Sequence, residues 1–312
     1  MTVVAVAGGT GGLGRAIVET LKALNQYDIR VLSREVNREF EAEVGVPTIA
    51  VDYTNVSSLK ASLEVNDVHI LICALNVMEN GEPQLNCIRA ADVSTSTKRF
   101  IPAIFGIPHK PEHMIDCFPN TTFKHQALEE LKKTSLEYTI VYNGYFLDYF
   151  GMPHIKSYLY HTTLVVDIQS QTAAIPGSGN VPVVFTYTFD VAKFVGALLS
   201  LEKWPLESYI IGDKVTWNQF LQLAEEATGT KFKVVYDSVE KLKSGEATLL
   251  PSHQAAYAIF AKGELEAVLS AFGLWFDEGA YDLNPDKPLN EVFPEIKTRK
   301  VKEFLQEAWK AK

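Results

Sequence analysis

The chain has 312 residues, 29 Lys+Arg against 38 Asp+Glu and a formal charge of −9. Hydrophobic residues make up 47%, charged residues 21% and aromatics 11%, a globular mixture that excludes disorder, collagen-like repeats and coiled coil. The length suffices for one large or two modest domains with real cores, and the acidic balance argues against a nucleic-acid partner.

Cys73, Cys87 and Cys117 are too few and too scattered for a disulfide framework, so a reducing, cytoplasmic setting is expected. The start MTVVAVAGG lacks the basic region and long apolar stretch of a signal peptide. No apolar run approaches the roughly 20 residues that span a bilayer, so no membrane partner is expected.

In chain order, residues 3–7 form a short apolar run that predicts a buried strand. Leu13, Ile17, Val18 and Leu21 then recur at helical spacing. Between strand and helix stands Gly8-Gly9-Thr10-Gly11-Gly12-Leu13-Gly14. Glycine here lets a pyrophosphate approach the backbone, and the helix start supplies free N–H groups. Three glycine registers fit the same turn, each a variant of the dinucleotide fingerprint. The next strand, 29–32, ends at Ser33-Arg34 rather than at the acid an NAD binder uses on the ribose 2′-hydroxyl. A hydroxyl and a guanidinium suit a 2′-phosphate, so NADPH is the expected cofactor.

A third strand, 48–51, leads to Asp52, which faces either the adenine rim or the start of a helix over 55–64. The fourth, 68–74, is followed by Leu75 and Asn76. Ala74, Leu75 and Asn76 are expected along the cofactor, because ligands sit at the carboxyl ends of parallel strands. Helices are expected over 82–93 and 121–133, with strands at 99–101 and 137–142. Fully apolar short strands alternating with helices predict an α/β fold with a doubly wound parallel sheet of Rossmann type. Beyond Gly144 the pattern loosens. Residues 169–182 read as a loop, and Asp190 as the cap of a helix over 191–200. Strands at 209–211 and 232–236 and helices at 217–228 and 264–272 follow. The expected division is a cofactor domain over 1–150 and a smaller mixed substrate-binding region over 151–312, with the alternative that some of its segments rejoin the main sheet. An exposed edge of the second part could support a homodimer.

Together with the glycine turn, two further stretches carry a family resemblance. One is Gln84 followed by Lys98-Arg99-Phe100-Ile101-Pro102-Ala103-Ile104-Phe105-Gly106. The other is Phe123-Lys124, then Tyr138-Thr139-Ile140-Val141 and Asn143-Gly144-Tyr145-Phe146. The chain resembles the NmrA-like, isoflavone-reductase-like group of atypical short-chain dehydrogenases. Members often read Phe-[Ile/Leu]-Pro-Ser-Glu-Phe-Gly, and Ala103 and Ile104 replace the Ser and Glu. The resemblance implies that Lys124 is the catalytic lysine. The arginine often found some four residues later is absent, since Leu128 and Glu129 stand there. These departures point away from plant isoflavone or lignan substrates and toward microbial or fungal secondary metabolism.

No tyrosine has a lysine four residues on, so the proton chemistry of ordinary short-chain dehydrogenases is missing. Hydride transfer leaves charge on the substrate that needs a donor, and Lys124 is expected either to donate that proton or to fix the cofactor ribose. Phe105, His113, Tyr142, Tyr145 and Tyr149 are expected at the substrate, which as a group they predict to be aromatic or phenolic. His109, His113 and Cys117 share a spacing of four, but Pro108, Pro111 and Pro119 argue against one helix face there, and no metal is expected. The expected activity is reduction of an enone, quinone methide or ketone. The alternatives are a non-catalytic NADP(H)-binding regulator, or an isomerase or cyclase on the same fold.

Overall fold

Alternation within β1 (Val3–Ala7) organises the main sheet: Val3, Ala5 and Ala7 enter one core cluster, Val4 and Val6 the other. The computed structural model describes residues 1–310 except 79, 116, 117, 259 and 260. From β1 the chain runs through α1 (Gly12–Leu24), β2 (Asp28–Ser33), α2 (Arg38–Val44), β3 (Thr48–Ala50) and α3 (Val56–Val65). It continues as β4 (Ile70–Cys73), α4 (Glu82–Asp92), β5 (Arg99–Ile101), α5 (Asn120–Leu131) and β6 (Glu137–Tyr138). The six strands pair in parallel in the order β3-β2-β1-β4-β5-β6. The order reverses between β1 and β4, and the carboxyl ends of these two strands flank the glycine turn.

The strand expected over 137–142 divides at Thr139. Residues Ile140–Tyr142 form β7, which leaves β5 and pairs in parallel with a strand from the second half. The Thr139 hydroxyl meets that of Ser208 at 2.8 Å and fixes the branch point.

The second half comprises β8 (Tyr145–Phe146), β9 (Val166–Asp167), β10 (Thr172–Pro176), β11 (Pro182–Thr186) and α6 (Thr188–Leu198). After these come β12 (Glu207–Tyr209), β13 (Asp213–Thr216), α7 (Trp217–Thr228), β14 (Lys233–Asp237) and α8 (Val239–Lys243). The last helices are α9 (Lys262–Asp277), α10 (Leu289–Val292) and α11 (Val301–Trp309). β12 is the strand that joins β7, and α6 packs along α1. Two three-stranded sheets, β13-β11-β8 and β14-β10-β9, complete the fold.

Two local expectations are corrected. The stretch 169–182 contains β10, whose short alanine-rich run is stabilised by pairing with β9 and β14 rather than by its own propensity. Asp190 is not a cap, since Tyr187 occupies that position. Its buried carboxylate accepts instead from the Arg299 N–H at 2.7 Å and from Lys193. Among the described residues, no helix is long and apolar enough to cross a membrane.

Candidate active site

Two kinds of glycine build the turn between β1 and α1. Gly8, at φ +79°, is pressed against the end of β4, where an added Cβ would lie 2.7 Å from the Ala74 carbonyl oxygen. A Cβ on Gly14 would lie 2.3 Å from the Gly8 carbonyl oxygen. At Gly11 and Gly12, by contrast, an added Cβ would meet nothing within 4 Å. These two glycines keep a space open. α1 has neither a side-chain cap nor an acid in its first turn, so its leading N–H groups and positive dipole end are unanswered by the protein. An open, uncapped cradle of this kind fits a pyrophosphate. Thr10 is half-buried on the turn, and Leu13 is buried against the core, so it offers the turn only its backbone.

The neighbouring strand ends complete the groove. Ser33 closes β2, and its hydroxyl donates to the Glu35 carbonyl, turning the chain beside the exposed Arg34. Burial pushes the Tyr53 hydroxyl pKa up, and this hydroxyl donates to the Leu32 carbonyl at 2.8 Å, which ties the start of the third crossover to the end of β2. Asp52 is exposed and accepts from both the N–H and the hydroxyl of Thr54, interactions that hold its carboxyl below the usual range. The helix-cap reading of Asp52 is therefore corrected: Asn55 caps α3, accepting from the Ser58 N–H at 3.0 Å. Ala74 and Leu75 lie against Gly8, while Asn76 is exposed and accepts from the Met78 N–H at 3.1 Å.

Lys124 projects from α5 to the end of β5, where its Nζ donates to the Phe105 carbonyl at 2.8 Å. Burial pulls its pKa down to about 8. The acceptor carbonyl belongs to a tight turn. Gly106, at φ +124°, donates its N–H to Asn143 Oδ1 at 3.0 Å and accepts from the N–H groups of Asn143 and Gly144 at 2.9 Å. Asn143 is fully buried, so the end of β7 clamps the turn that positions the ammonium. Behind it, Gln84 Oε1 accepts from the Ala103 N–H at 2.6 Å, which fixes the backbone where the family usually has serine.

Beyond Lys124 lies His109. Burial, the Lys124 charge and His113 together push its pKa down to about 2, so the ring is neutral. Its Nδ1 is buried without a hydrogen-bond partner among the described residues. His109 packs edge-on to His113 and to Trp275, with ring centroids 5.8 Å and 5.5 Å away. His113 accepts the Lys110 N–H on Nδ1, so its Nε2 carries the proton and donates to Glu278 at 2.5 Å. It also lines a cleft of about 500 Å³ together with Pro108, Lys110, Tyr209, Glu278 and Asp286.

The aromatic residues expected at the substrate divide. Phe105 is buried in the core, and only its carbonyl touches Lys124. Tyr142 packs against Tyr209 at 5.1 Å, so Tyr142 backs a wall of the cleft. Tyr145 and Tyr149 stack at 5.3 Å, and Tyr145 is further surrounded by Phe185, Trp217, Phe276 and Tyr281. The Tyr145 hydroxyl is buried with no partner among the described residues.

Asn143 and Gln84 had a readable signal, since both lie within the family-like stretches. Trp275, Glu278 and Tyr281 had none, because they arrive from the far end of the chain. Among the described residues no cluster of His, Cys, Asp and Glu could hold a metal. Cys117, the third residue of the spaced trio, lies outside the described residues.

Oxidoreductase BOA1 of Botryotinia fuckeliana is 40% identical over 95% of this chain and 96% of its own length. Oxidoreductase swnN of Metarhizium robertsii is 35% identical, covering 100% of this chain and 98% of its own. Among solved structures, pinoresinol reductase 2 of Arabidopsis thaliana with NADP+ and pinoresinol superposes with TM-score 0.76 at 22% identity, covering 98% of both chains. Leucoanthocyanidin reductase of Vitis vinifera with NADPH gives TM-score 0.75 at 17% identity, again over 98% of both. The family model of the NmrA-like family matches residues 1–305, and this chain belongs to that family.

Proposed function

We propose that the protein is an NADPH-dependent oxidoreductase that reduces an enone, quinone methide or ketone of a small aromatic or phenolic secondary metabolite in the cytoplasm. The observation that carries this reading is the half-buried Lys124 ammonium, held at the carboxyl end of β5 with a pKa near 8. A protonated amine with so low a pKa is a competent acid near neutrality. The relatives named as oxidoreductases and the NADP-bound reductases of the same fold support the same class.

When bound, NADPH supplies a hydride. Gly8, Thr10, Gly11, Gly12, Leu13 and Gly14 would hold its pyrophosphate, with Ser33 and Arg34 at the 2′-phosphate. Asp52 would stand at the adenine rim, and Ala74, Leu75 and Asn76 along the groove. Lys124 Nζ would donate to the substrate oxygen that gains charge, turning away from the Phe105 carbonyl. The neutral His109 excludes a second positive charge from beside Lys124 and keeps its pKa from being lowered further. His113 would face the substrate in the cleft, with Tyr142 behind Tyr209 at its wall and Tyr145 and Tyr149 within the buried aromatic cluster, where the unanswered Tyr145 hydroxyl would be a donor for a second substrate oxygen only if the substrate reaches it.

The test is to follow NADPH absorbance across a panel of phenolic enones, quinone methides and aryl ketones. Turnover is expected with at least one class. Lys124→Ala is expected to keep cofactor binding and lose about 10²–10⁴-fold in turnover. Tight NADPH binding without oxidation by any substrate would instead establish the regulator reading.

A further inference from the structure

We propose that Thr186 is a positioning residue for Lys124, acting through the main chain of Asn143 and the Gly106 turn. This role presupposes Lys124 as the acid of the reduction. Thr186 closes β11, whose preceding residues Val183, Val184 and Phe185 are fully buried and apolar. The Thr186 side chain is fully buried as well. Valine has nearly the same shape and suits such a strand, so a hydroxyl at this place is accounted for by the hydrogen bonds it makes.

The hydroxyl serves as donor and acceptor at once. It donates to the Asn143 carbonyl at 2.7 Å and accepts from the Gly212 N–H at 3.2 Å. Gly212 comes this close only because it has no side chain: an added Cβ would lie 2.2 Å from the Phe185 carbonyl oxygen and 2.8 Å from Thr186 Oγ1. The Gly212 carbonyl is held in turn by the Thr298 hydroxyl at 2.6 Å and by Lys300 Nζ at 2.9 Å. Thr186 therefore stands between the carboxyl-terminal segment and the residue that grips the Gly106 turn.

From Asn143 the path to the ammonium is short. β7 ends at Tyr142, one residue earlier, so the Asn143 carbonyl stands outside the ladder and Thr186 is its partner. The Asn143 N–H donates to the Gly106 carbonyl at 2.9 Å, and Asn143 Oδ1 accepts from the Gly106 N–H at 3.0 Å. An added Cβ on Gly106 would lie 3.7 Å from Lys124 Nζ, so this turn packs on the ammonium itself. Nζ donates to the carbonyl of the preceding residue, Phe105. Among the described residues no carboxylate pairs with Nζ, and the titratable group that faces it, His109, is neutral. The Phe105 carbonyl thus sets where the ammonium stands, and Asn143, anchored by Thr186, sets where that carbonyl stands. Without the hydroxyl, the Asn143 carbonyl and the Gly212 N–H are left buried and unpaired. The turn then relaxes, and Nζ loses a bond that favours its charged form.

The experiment compares the wild type with Thr186→Val, Thr186→Ser and Thr186→Cys, each as the full chain. Lys124 is titrated through the carbon-13 resonance of its Cε in lysine-labelled protein, assigned by its disappearance in Lys124→Ala. Thr186→Val is expected to lose the Lys124 proton about 0.5–1 pH unit below the wild type. Thr186→Ser keeps the hydroxyl and is expected to titrate with the wild type. Thr186→Cys, a weaker donor, is expected to fall between them, and it decides the matter if the valine protein does not fold. Circular dichroism and NADPH titration check that fold and cofactor binding are kept. With a substrate that the wild type turns over, Thr186→Val is expected to lose about 10–100-fold in kcat with KM little changed, and Thr186→Ser to recover it. A folded Thr186→Val protein, or Thr186→Cys in its place, whose Lys124 titrates like the wild type overturns the proposal. So does an equal displacement in Thr186→Ser, because the hydroxyl would then be irrelevant. The titration is read without substrate, so a protein that turns over nothing counts against the reductase reading while the Lys124 resonance still decides the role of Thr186.

Discussion

Arg34 and Lys124 show how single residues acquire a role from their surroundings. Arg34 is exposed at the end of β2, where a guanidinium can grip a phosphate in a bidentate way. A charge-assisted contact of that kind contributes about 1.5–3 kcal/mol. Arg34→Ala is therefore expected to weaken NADPH binding about 10–100-fold while leaving NADH nearly unchanged. Isothermal titration with both cofactors checks this, and an equal loss for the two would reject the 2′-phosphate contact. Lys124 owes its lowered pKa to burial beside the Phe105 carbonyl. The acid form is present below about pH 8 and is lost as pH rises through that value. Turnover is expected to fall above pH 8 and to keep its upper limb higher in Lys124→Arg, where the charge persists. A pH profile flat through 9 would show that Lys124 does not act as the acid.

At the scale of elements, the β1–α1 turn separates glycines pressed against backbone from glycines that face open space. Gly14 lies against the Gly8 backbone, so Gly14→Ala must displace main chain, and overpacking of that sort costs about 1–3 kcal/mol. Gly11 is extended, at φ −154°, and faces open space. Gly11→Ala is expected to change stability by less than about 1 kcal/mol, the scale of a helix-cap substitution, yet to impair cofactor binding. Urea denaturation paired with cofactor titration separates the two variants. Similar stability losses in both would mean that Gly11 is structural too. The turn itself was legible because strand, glycines and helix are consecutive. The Gly106 turn was legible only as a family-like string, since its clamp, Asn143, comes from another strand.

For the whole molecule, Asp148 ties the two halves of the chain together. It is buried and accepts from Ser157 and from the N–H and hydroxyl of Thr188. Burial nevertheless raises its pKa to about 6, against these hydrogen bonds. Unfolded, the group titrates near 3.9. Between about pH 4 and 6 the unfolded chain releases the proton and the folded chain keeps it, so stability falls as pH rises through that window. The shift is worth on the order of 3 kcal/mol. Relative to Asp148→Asn, the wild type is expected to lose about that much between pH 4 and 6 and nothing further above. Denaturation midpoints of both proteins across pH 4–8 measure it, and a constant difference would remove Asp148 from the account.

By itself the sequence determined the alternating sheet and the strand–glycine–helix turn, because each depends on residues close together in the chain, whereas Lys124 was singled out by the family resemblance. Periodicity, glycine spacing and strand ends are local properties that survive without neighbours. Only the tertiary structure decided that 137–142 divides between two strands, that 169–182 contains β10, and that Trp275, Glu278 and Tyr281 reach the aromatic wall. Those outcomes depend on partners many residues away, whose pairing and burial outweigh local preference.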